Sequence, residues 1–300
     1  MKKQKIAAVS AVLLSGLMSS AWAISGGSWD KGSSTLTLNS KAGVEEDVVI
    51  SSTEASDIGS GDITIKVVRS SKIAGSSTVM LPANFKPKAG SCVTLYDLTT
   101  YTVDGSKWTT QAHELNGYAS ANKPYLMVIK DFSGSCADVT EIEFTANGLT
   151  TTGDAEKTST LTNESDGNKL SFVGTYNYKT SWSDIGNVYA YVTKDENGHI
   201  AGSFDKLTSG SYMPPMRGFL RYGDDRNGDV ILTKSAEVVL PEVIGVELFD
   251  TEKKSAGLIR MNTRTGVMMK VDSWYDLKGR KLISKPENKG MFIGKKVIQK

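Results

Sequence analysis

Histidine and cysteine, which often supply a catalytic base, a nucleophile or a metal ligand, are scarce in this sequence of 300 residues. It contains two histidines, His113 and His199, and two cysteines, Cys92 and Cys136. A Ser-His-Asp hydrolase needs a histidine as its base, but the chain has no Gly-x-Ser-x-Gly nucleophile motif. We therefore predict that both histidines are surface residues. These four side chains also cannot complete a zinc site without carboxylates.

The 33 acidic residues include no pattern that defines a catalytic pair. Glycoside hydrolysis needs only two carboxylates at a suitable separation, which a sequence does not give. Four acids are candidates merely by being present: Asp131, Glu141, Glu143 and Asp184. Residues 224–229 offer oxygen ligands around a glycine but lack the twelve-residue calcium loop with its terminal Glu, so we interpret them as a polar hairpin. We predict a non-catalytic protein with no metal and no cofactor.

Aromatic residues give the stronger indication of binding, because planar rings stack on sugar faces at low entropic cost. Tyr176, Tyr178 and Trp182 lie within seven residues, and Trp108 follows the Asp104-Gly105 turn. A β-sheet core also needs large aromatic residues, and the alternation of Tyr176 with Tyr178 fits one face of a strand. The cluster is therefore either part of the core or a glycan-stacking platform.

Short alternating segments and frequent turns define the elements that would position these residues. Apolar residues alternate with polar ones in segments 35–38, 63–67, 93–96 and 141–144, as expected for strands with one buried face. Turn dipeptides separate them, and no stretch shows a convincing helical apolar stripe. The pattern predicts an all-β fold, with an antiparallel β-sandwich body and a small C-terminal β-hairpin domain.

The N-terminus has the layout of a secretory signal peptide. Residues 1–5 carry three lysines, residues 6–18 form a short apolar run, and Ala21-Trp22-Ala23 ends it with small residues. A membrane anchor would need about 20 apolar residues, whereas Ser15 and Gly16 already interrupt this run. We predict cleavage after Ala23, and no later segment is long and apolar enough to span a bilayer.

Charge and cysteine content agree with an exported protein that does not bind nucleic acid. Removing the leader leaves 32 basic against 33 acidic residues, without the basic excess typical of nucleic-acid binding.

Disulfides persist in oxidising compartments, so we predict a bond between Cys92 and Cys136. The alternative, a reactive thiol, would need a neighbouring histidine or helix N-terminus.

Changes in composition divide the chain into five segments. We predict a signal peptide (1–23), a Ser/Thr/Gly-rich β extension (24–62), a β-sandwich body (63–250), a linker and hairpin (251–271) and a terminal domain (272–300). The hairpin would turn at Thr265-Gly266.

The terminal segment carries an ordered set of motifs. It has a strand and turn at 274–282, Lys285-Pro286, a second strand at 289–293 and a basic end at 294–300. This pattern resembles the C-terminal sorting domain of substrates of the type IX (Por) secretion system. The resemblance covers about 27 residues, and it places the sorting motif at Trp274, Tyr275, Asp276, Leu277, Gly279, Arg280, Gly290 and Gly294. It implies the type IX machinery as a partner.

The body resembles uncharacterised secreted β-rich proteins of gut and rumen bacteria that carry such tails. The similarity lies in short blocks at 78–82, 121–126, 172–176 and 215–220, and it implies a fold class and a surface address. Our leading hypothesis is a non-catalytic secreted or cell-surface protein with an adhesive role. A carbohydrate-binding module that uses the Tyr176, Tyr178 and Trp182 platform is the alternative, and a glycan-active enzyme is the third.

The predicted disulfide has a direct test. Replacing Cys92 with serine should lower the free energy of unfolding by about 2 to 4 kcal/mol, because the bond restricts the unfolded chain. The melting temperature should fall by several degrees. Reducing the wild-type protein should give the same fall, and reducing the variant should change nothing. Two free thiols in the intact mass of protein made in an oxidising compartment would contradict the bond.

Overall fold

The computed structural model describes residues 21–70, 75–129, 140–153, 156–167, 169–195, 198–223 and 239–250, with short backbone segments between 255 and 294. Sixteen strands precede residue 250 in this part of the chain. They are β1 (Ala21–Ile24), β2 (Gly27–Asp30), β3 (Thr35–Asn39), β4 (Ile63–Val68), β5 (Ser76–Val79), β6 (Asn84–Pro87), β7 (Val93–Asp104), β8 (Lys107–Glu114), β9 (Tyr125–Ile129), β10 (Glu141–Asn147), β11 (Glu156–Thr160), β12 (Leu170–Thr175), β13 (Val188–Tyr191), β14 (Phe204–Lys206), β15 (Arg217–Tyr222) and β16 (Val243–Phe249).

The predicted alternation appears directly in these strands. In β4, Ile63, Ile65 and Val67 are buried, whereas the residues between them are half-exposed. The predicted Asp104-Gly105 turn lies between β7 and β8: Asp104 ends β7, and Gly105 and Ser106 form the turn, where Gly105 takes a φ of 57° that side chains disfavour. The all-β prediction is confirmed.

One short α-helix, α1 (Ser52–Ile58), interrupts the strands. Ser51 caps it: its hydroxyl accepts from the backbone N–H of Glu54 at 3.2 Å, and the Glu54 carboxylate accepts from the N–H of Ser51 at 2.7 Å. This capping box satisfies two backbone donors at the helix start. The helix ends at Gly59, whose φ is 88°.

Six strands form the first sheet, in the order β1, β2, β3, β4, β10, β6. The extension at 24–62 contributes to it, because β3 pairs with β4. β1 pairs Trp22 with Trp29 of β2. Cleavage after Ala23 would remove that contact and leave β2 at the sheet edge; residues 1–20 lie outside the described residues.

The second sheet has eleven strands and curls back on itself. Its main path runs β11, β12, β15, β13, β14, β16, β8, β7, β9, β5. The last strand, β5, contacts β15 through the Thr78 hydroxyl, which accepts from the Gly218 N–H at 2.8 Å and donates to the Gly218 carbonyl at 3.1 Å. Apolar side chains from β7, β8, β9 and β12 to β16 share one buried cluster, so this sheet encloses its own core.

One parallel pair corrects the prediction of a purely antiparallel body, because β16 pairs in parallel with β8. A second parallel pair joins β3, in the predicted extension, to β4. Both pairs join strands that a long stretch of chain separates, as parallel pairing requires. Turn dipeptides predict hairpins and carry no information on such pairs. The sandwich arrangement of the whole body stays a prediction.

β9 is buried on both faces and divides the two main cores. Tyr125, Met127 and Ile129 pack with side chains of the first sheet, whereas Leu126 and Val128 point into the core of the second sheet. The strand consists of five consecutive apolar residues, the pattern expected of a strand without a solvated face.

The C-terminal part forms short strands of its own. They are β17 (Ser255–Leu258), β18 (Arg260–Met261), β19 (Met268–Met269), β20 (Trp274–Tyr275), β21 (Lys281–Leu282) and β22 (Ile293–Gly294). β17 pairs with β16, β18 pairs with β19, and β20 lies between β21 and β22. The β18–β19 pair flanks the predicted turn at Thr265-Gly266, which lies outside the described residues.

The packing around Gly218 makes a testable prediction. A methyl group there would lie 2.6 Å from Phe172 Cε2 and 3.3 Å from Pro124 Cβ, so a ring in the core must move. Replacing Gly218 with alanine should cost about 1 to 3 kcal/mol of unfolding free energy. In the control, Gly186→Ala, the added methyl has no atom within 4 Å, and the change should stay within about 0.5 kcal/mol. Equal urea midpoints for the two variants would contradict this packing.

Candidate functional site

Two segments that follow strands lie side by side on the outer face of the second sheet. The first, residues 176–182, follows β12, and the second, residues 207–213, follows β14. Lys179 and Met213 exchange backbone hydrogen bonds of 2.9 and 2.8 Å. The Trp182 indole N–H donates to the Ser211 carbonyl at 3.1 Å. These bonds fix the aromatic residues of both segments against each other.

Tyr176 belongs to the core, which corrects its predicted role in glycan stacking. It is only 1% exposed and packs with residues of both sheets. Its hydroxyl donates to Asn122 Oδ1 at 2.8 Å, and burial raises the pKa of the phenol. The ring has no open face for a ligand.

Tyr178 instead pairs with a residue that the sequence did not indicate. Its ring stacks on that of Tyr212 at a centroid distance of 6.0 Å and an interplanar angle of 11°. The hydroxyl of Tyr178 accepts from the Gly43 N–H at 3.2 Å. Tyr212 is 53% exposed. We call this pair the tyrosine shelf.

Trp182 supports the shelf but offers less surface. Its half-buried ring meets Phe219 edge to face, with centroids 5.2 Å apart. Lys179 Nζ lies 4.8 Å from the Trp182 centroid, a cation–π contact that occupies one ring face. Trp108 is 2% exposed and stacks on Tyr101, so it is a core residue.

An ionic network holds the first segment on β15. Arg221 Nη1 donates to Glu156 Oε2 at 2.9 Å, and its Nε lies 2.7 Å from Asp184 Oδ2. Lys179 also pairs with Glu156. Burial raises the pKa of Glu156, but the bonds from Arg221 and Lys179 outweigh it and the pKa is lowered overall. The carboxylate therefore stays charged and keeps the segment in place.

A groove of about 290 Å³ adjoins the shelf at Ser211. Its lining comes from residues 190–194, 205–208 and 211 together with His199. Asp205, 7% exposed, binds His199 Nδ1 at 2.7 Å through one oxygen and the Ser203 hydroxyl at 2.7 Å through the other. A carboxylate only accepts, so Nδ1 of His199 is the donor in this bond.

This cluster differs from a hydrolase triad in its connections. In a triad the serine hydroxyl donates to the histidine, whereas Ser203 bonds to Asp205 and to the Ile200 carbonyl at 2.6 Å. The arrangement orders the 199–205 turn. Polar donors and acceptors along such a groove suit hydroxyl-bearing ligands.

The other predicted chemical residues lie elsewhere. His113 is half-buried on β8 and stacks on Phe249 at 4.9 Å. Glu141 and Glu143 both pair with Lys66. Asp184 instead belongs to the ionic network around Arg221. Asp131 and the 224–229 acids lie outside the described residues.

The structure describes only some of the residues of the predicted disulfide and of the predicted sorting motif. Cys92 packs partly buried against the first core, and no cysteine in the described part of the chain is free. Cys136 is outside that part, so the bond stays a prediction. Trp274 and Tyr275 lie on β20 and Gly294 ends β22. The remaining motif residues are not described: Asp276, Leu277, Gly279, Arg280 and Gly290.

Comparisons with known proteins add no relative: no family model, curated protein or solved structure matches the chain. Within the described ranges, no group of three or more His, Cys, Asp or Glu residues could hold a metal ion. Among the same residues, no helix is long and apolar enough to cross a membrane.

Proposed function

We propose that this protein is a non-catalytic secreted or cell-surface protein, exported through its C-terminal segment by the type IX machinery. The observation that carries this proposal is the small sheet of β20, β21 and β22. Its strands pair with one another and with no strand of the two large sheets in the described residues. A compact terminal sheet can be recognised by its shape whatever body precedes it.

Deleting residues 272–300 tests the sorting function. The truncated protein should accumulate inside the cell, because the machinery would lack its recognition element, whereas the full chain reaches the surface or medium. The measurement is immunoblotting of cell and culture fractions. The control is Gly186→Ala, made in the short 3-10 helix Ile185–Asn187 at a position without close neighbours, which should be exported normally. Normal export of a truncated chain that keeps its melting temperature would refute the proposal.

We further propose that the body binds carbohydrate at the tyrosine shelf. The specific observation is the half-exposed ring of Tyr212, held parallel to Tyr178 and next to the polar groove at Ser211. A ring held by its neighbours loses little entropy when a sugar stacks on it. The groove then supplies hydroxyl and histidine groups that can bond to a neighbouring sugar unit.

Replacing Tyr212 with alanine tests the shelf. The affinity for insoluble polysaccharide should fall about fivefold, since one aromatic contact contributes roughly 1 kcal/mol. Tyr118 is the matched control because it is 39% exposed and lies under Lys86, outside the shelf. Tyr118→Ala should bind like wild type. If both variants bind equally, or if the wild-type protein retains no polysaccharide, the shelf is not a glycan site.

A further inference from the structure

Two arginines from different sheets meet at one serine hydroxyl. Arg69 follows β4 of the first sheet, and Arg217 begins β15 of the second. Arg69 Nη1 donates to Ser77 Oγ at 2.7 Å, and its Nη2 donates to the Thr78 carbonyl at 2.8 Å. Arg217 Nη1 donates to the same Ser77 oxygen. Two like charges therefore face each other across one neutral group.

Neither guanidinium is neutralised within the described residues. Their hydrogen-bond partners there are hydroxyl and carbonyl oxygens, and the buried Nε atom of each arginine has no partner. Arg69 is only 3% exposed. Burying an unpaired charge is unfavourable, and the proximity of a second cation makes it more so. Burial, and then the charge of Arg217, lower the pKa of Arg69.

Arg221, on the same strand, is an arginine that forms ion pairs with carboxylates of the chain. It lies four residues after Arg217 on β15, and both Glu156 and Asp184 contact its guanidinium. The chain thus supplies carboxylates where it buries that charge. Among the described residues, the carboxylates that neutralise Arg221 have no counterpart at Arg69 and Arg217.

Arg217 is the accessible member of the pair. Its side chain is half-buried, and burial lowers its pKa to about 10, partly opposed by the nearby Tyr212 phenol. Tyr212 is the exposed ring of the tyrosine shelf. A ligand that stacks on the shelf therefore lies close to Arg217, with Arg69 behind it.

We infer that Arg69 and Arg217 bind an anionic group, a carboxylate or a sulfate, with Arg217 as the contact and Arg69 as the positioning charge. Planar guanidinium groups match both oxyanions through paired N–H donors. The group is either a free anion or the acidic substituent of a sugar on the shelf; the second source rests on the proposed carbohydrate binding and narrows it to acidic polysaccharides.

Thermal unfolding in sodium sulfate or sodium acetate, at ionic strength held constant with sodium chloride, tests the site with the full chain. In the wild type the melting temperature should rise and then saturate, as one-site binding requires. In Arg217→Gln the apparent affinity should fall at least tenfold. Lys88→Gln, which removes one exposed positive charge that pairs with Glu143, is the control and should behave like wild type.

Arg69→Met separates binding from a purely structural role. An apolar side chain removes the uncompensated charge, so the variant should be at least as stable as wild type without the anion and should lose the saturable rise. A melting temperature that depends on sulfate equally in wild type, Arg217→Gln and Lys88→Gln would be a general salt effect and would overturn the site.

Polysaccharide binding distinguishes the two sources. If glucuronate-containing or sulfated polysaccharide is retained by wild type and not by Arg217→Gln, the acidic sugar is the ligand. If sulfate saturates the site and no polysaccharide binds, the anion site stands and the carbohydrate proposal fails. If neutral polysaccharide binds through Tyr212 and neither anion has a saturable effect, the carbohydrate proposal stands and the anion site fails.

Discussion

The burial of β9 on both faces is the constraint on which the body depends. Its odd-numbered residues, such as Met127, fill the core shared with the first sheet, and its even-numbered residues, such as Leu126, fill the core inside the second sheet. A shift of one residue in its pairing would exchange the two sets of side chains. Since the two cores need different shapes, one register satisfies both. β9 is therefore fixed between β7 and β5.

The second sheet closes where β5, which pairs with β9, contacts β15 through polar groups. This contact leaves little room for side chains. Thr78 of β5 reaches both backbone groups of Gly218, and Gly174 lies directly opposite Gly218 across β12 and β15. A side chain at either glycine would meet Met80 or Phe172. Glycine at 174 on β12 and at 218 on β15 therefore leaves room for Met80 and Phe172, and β5 lies close enough to β15 for Ser77 to accept from Arg217.

The candidate site depends on this closure and on loops that the sheet supports from outside. The ionic network around Arg221 fixes the segment that carries Tyr178, and the turn before Met213 carries Tyr212. One ring pair, one polar groove and one arginine pair without a carboxylate among the described residues support the proposal of a binding surface for an acidic, hydroxyl-rich ligand.

The sequence by itself determined the all-β class and the positions of the strands, such as β4 and β10, because a strand with one buried face imposes a two-residue period on its own side chains. It also determined that Gly105 forms a turn. Only the tertiary structure decided that Tyr176 is core and Tyr212 is surface, because the burial of each ring depends on the distant residues that pack against it. The parallel pairs, the double burial of β9 and the meeting of Arg69 with Arg217 join residues far apart in the chain. Local periodicity carries no information on such contacts, because they arise when the sheets pack.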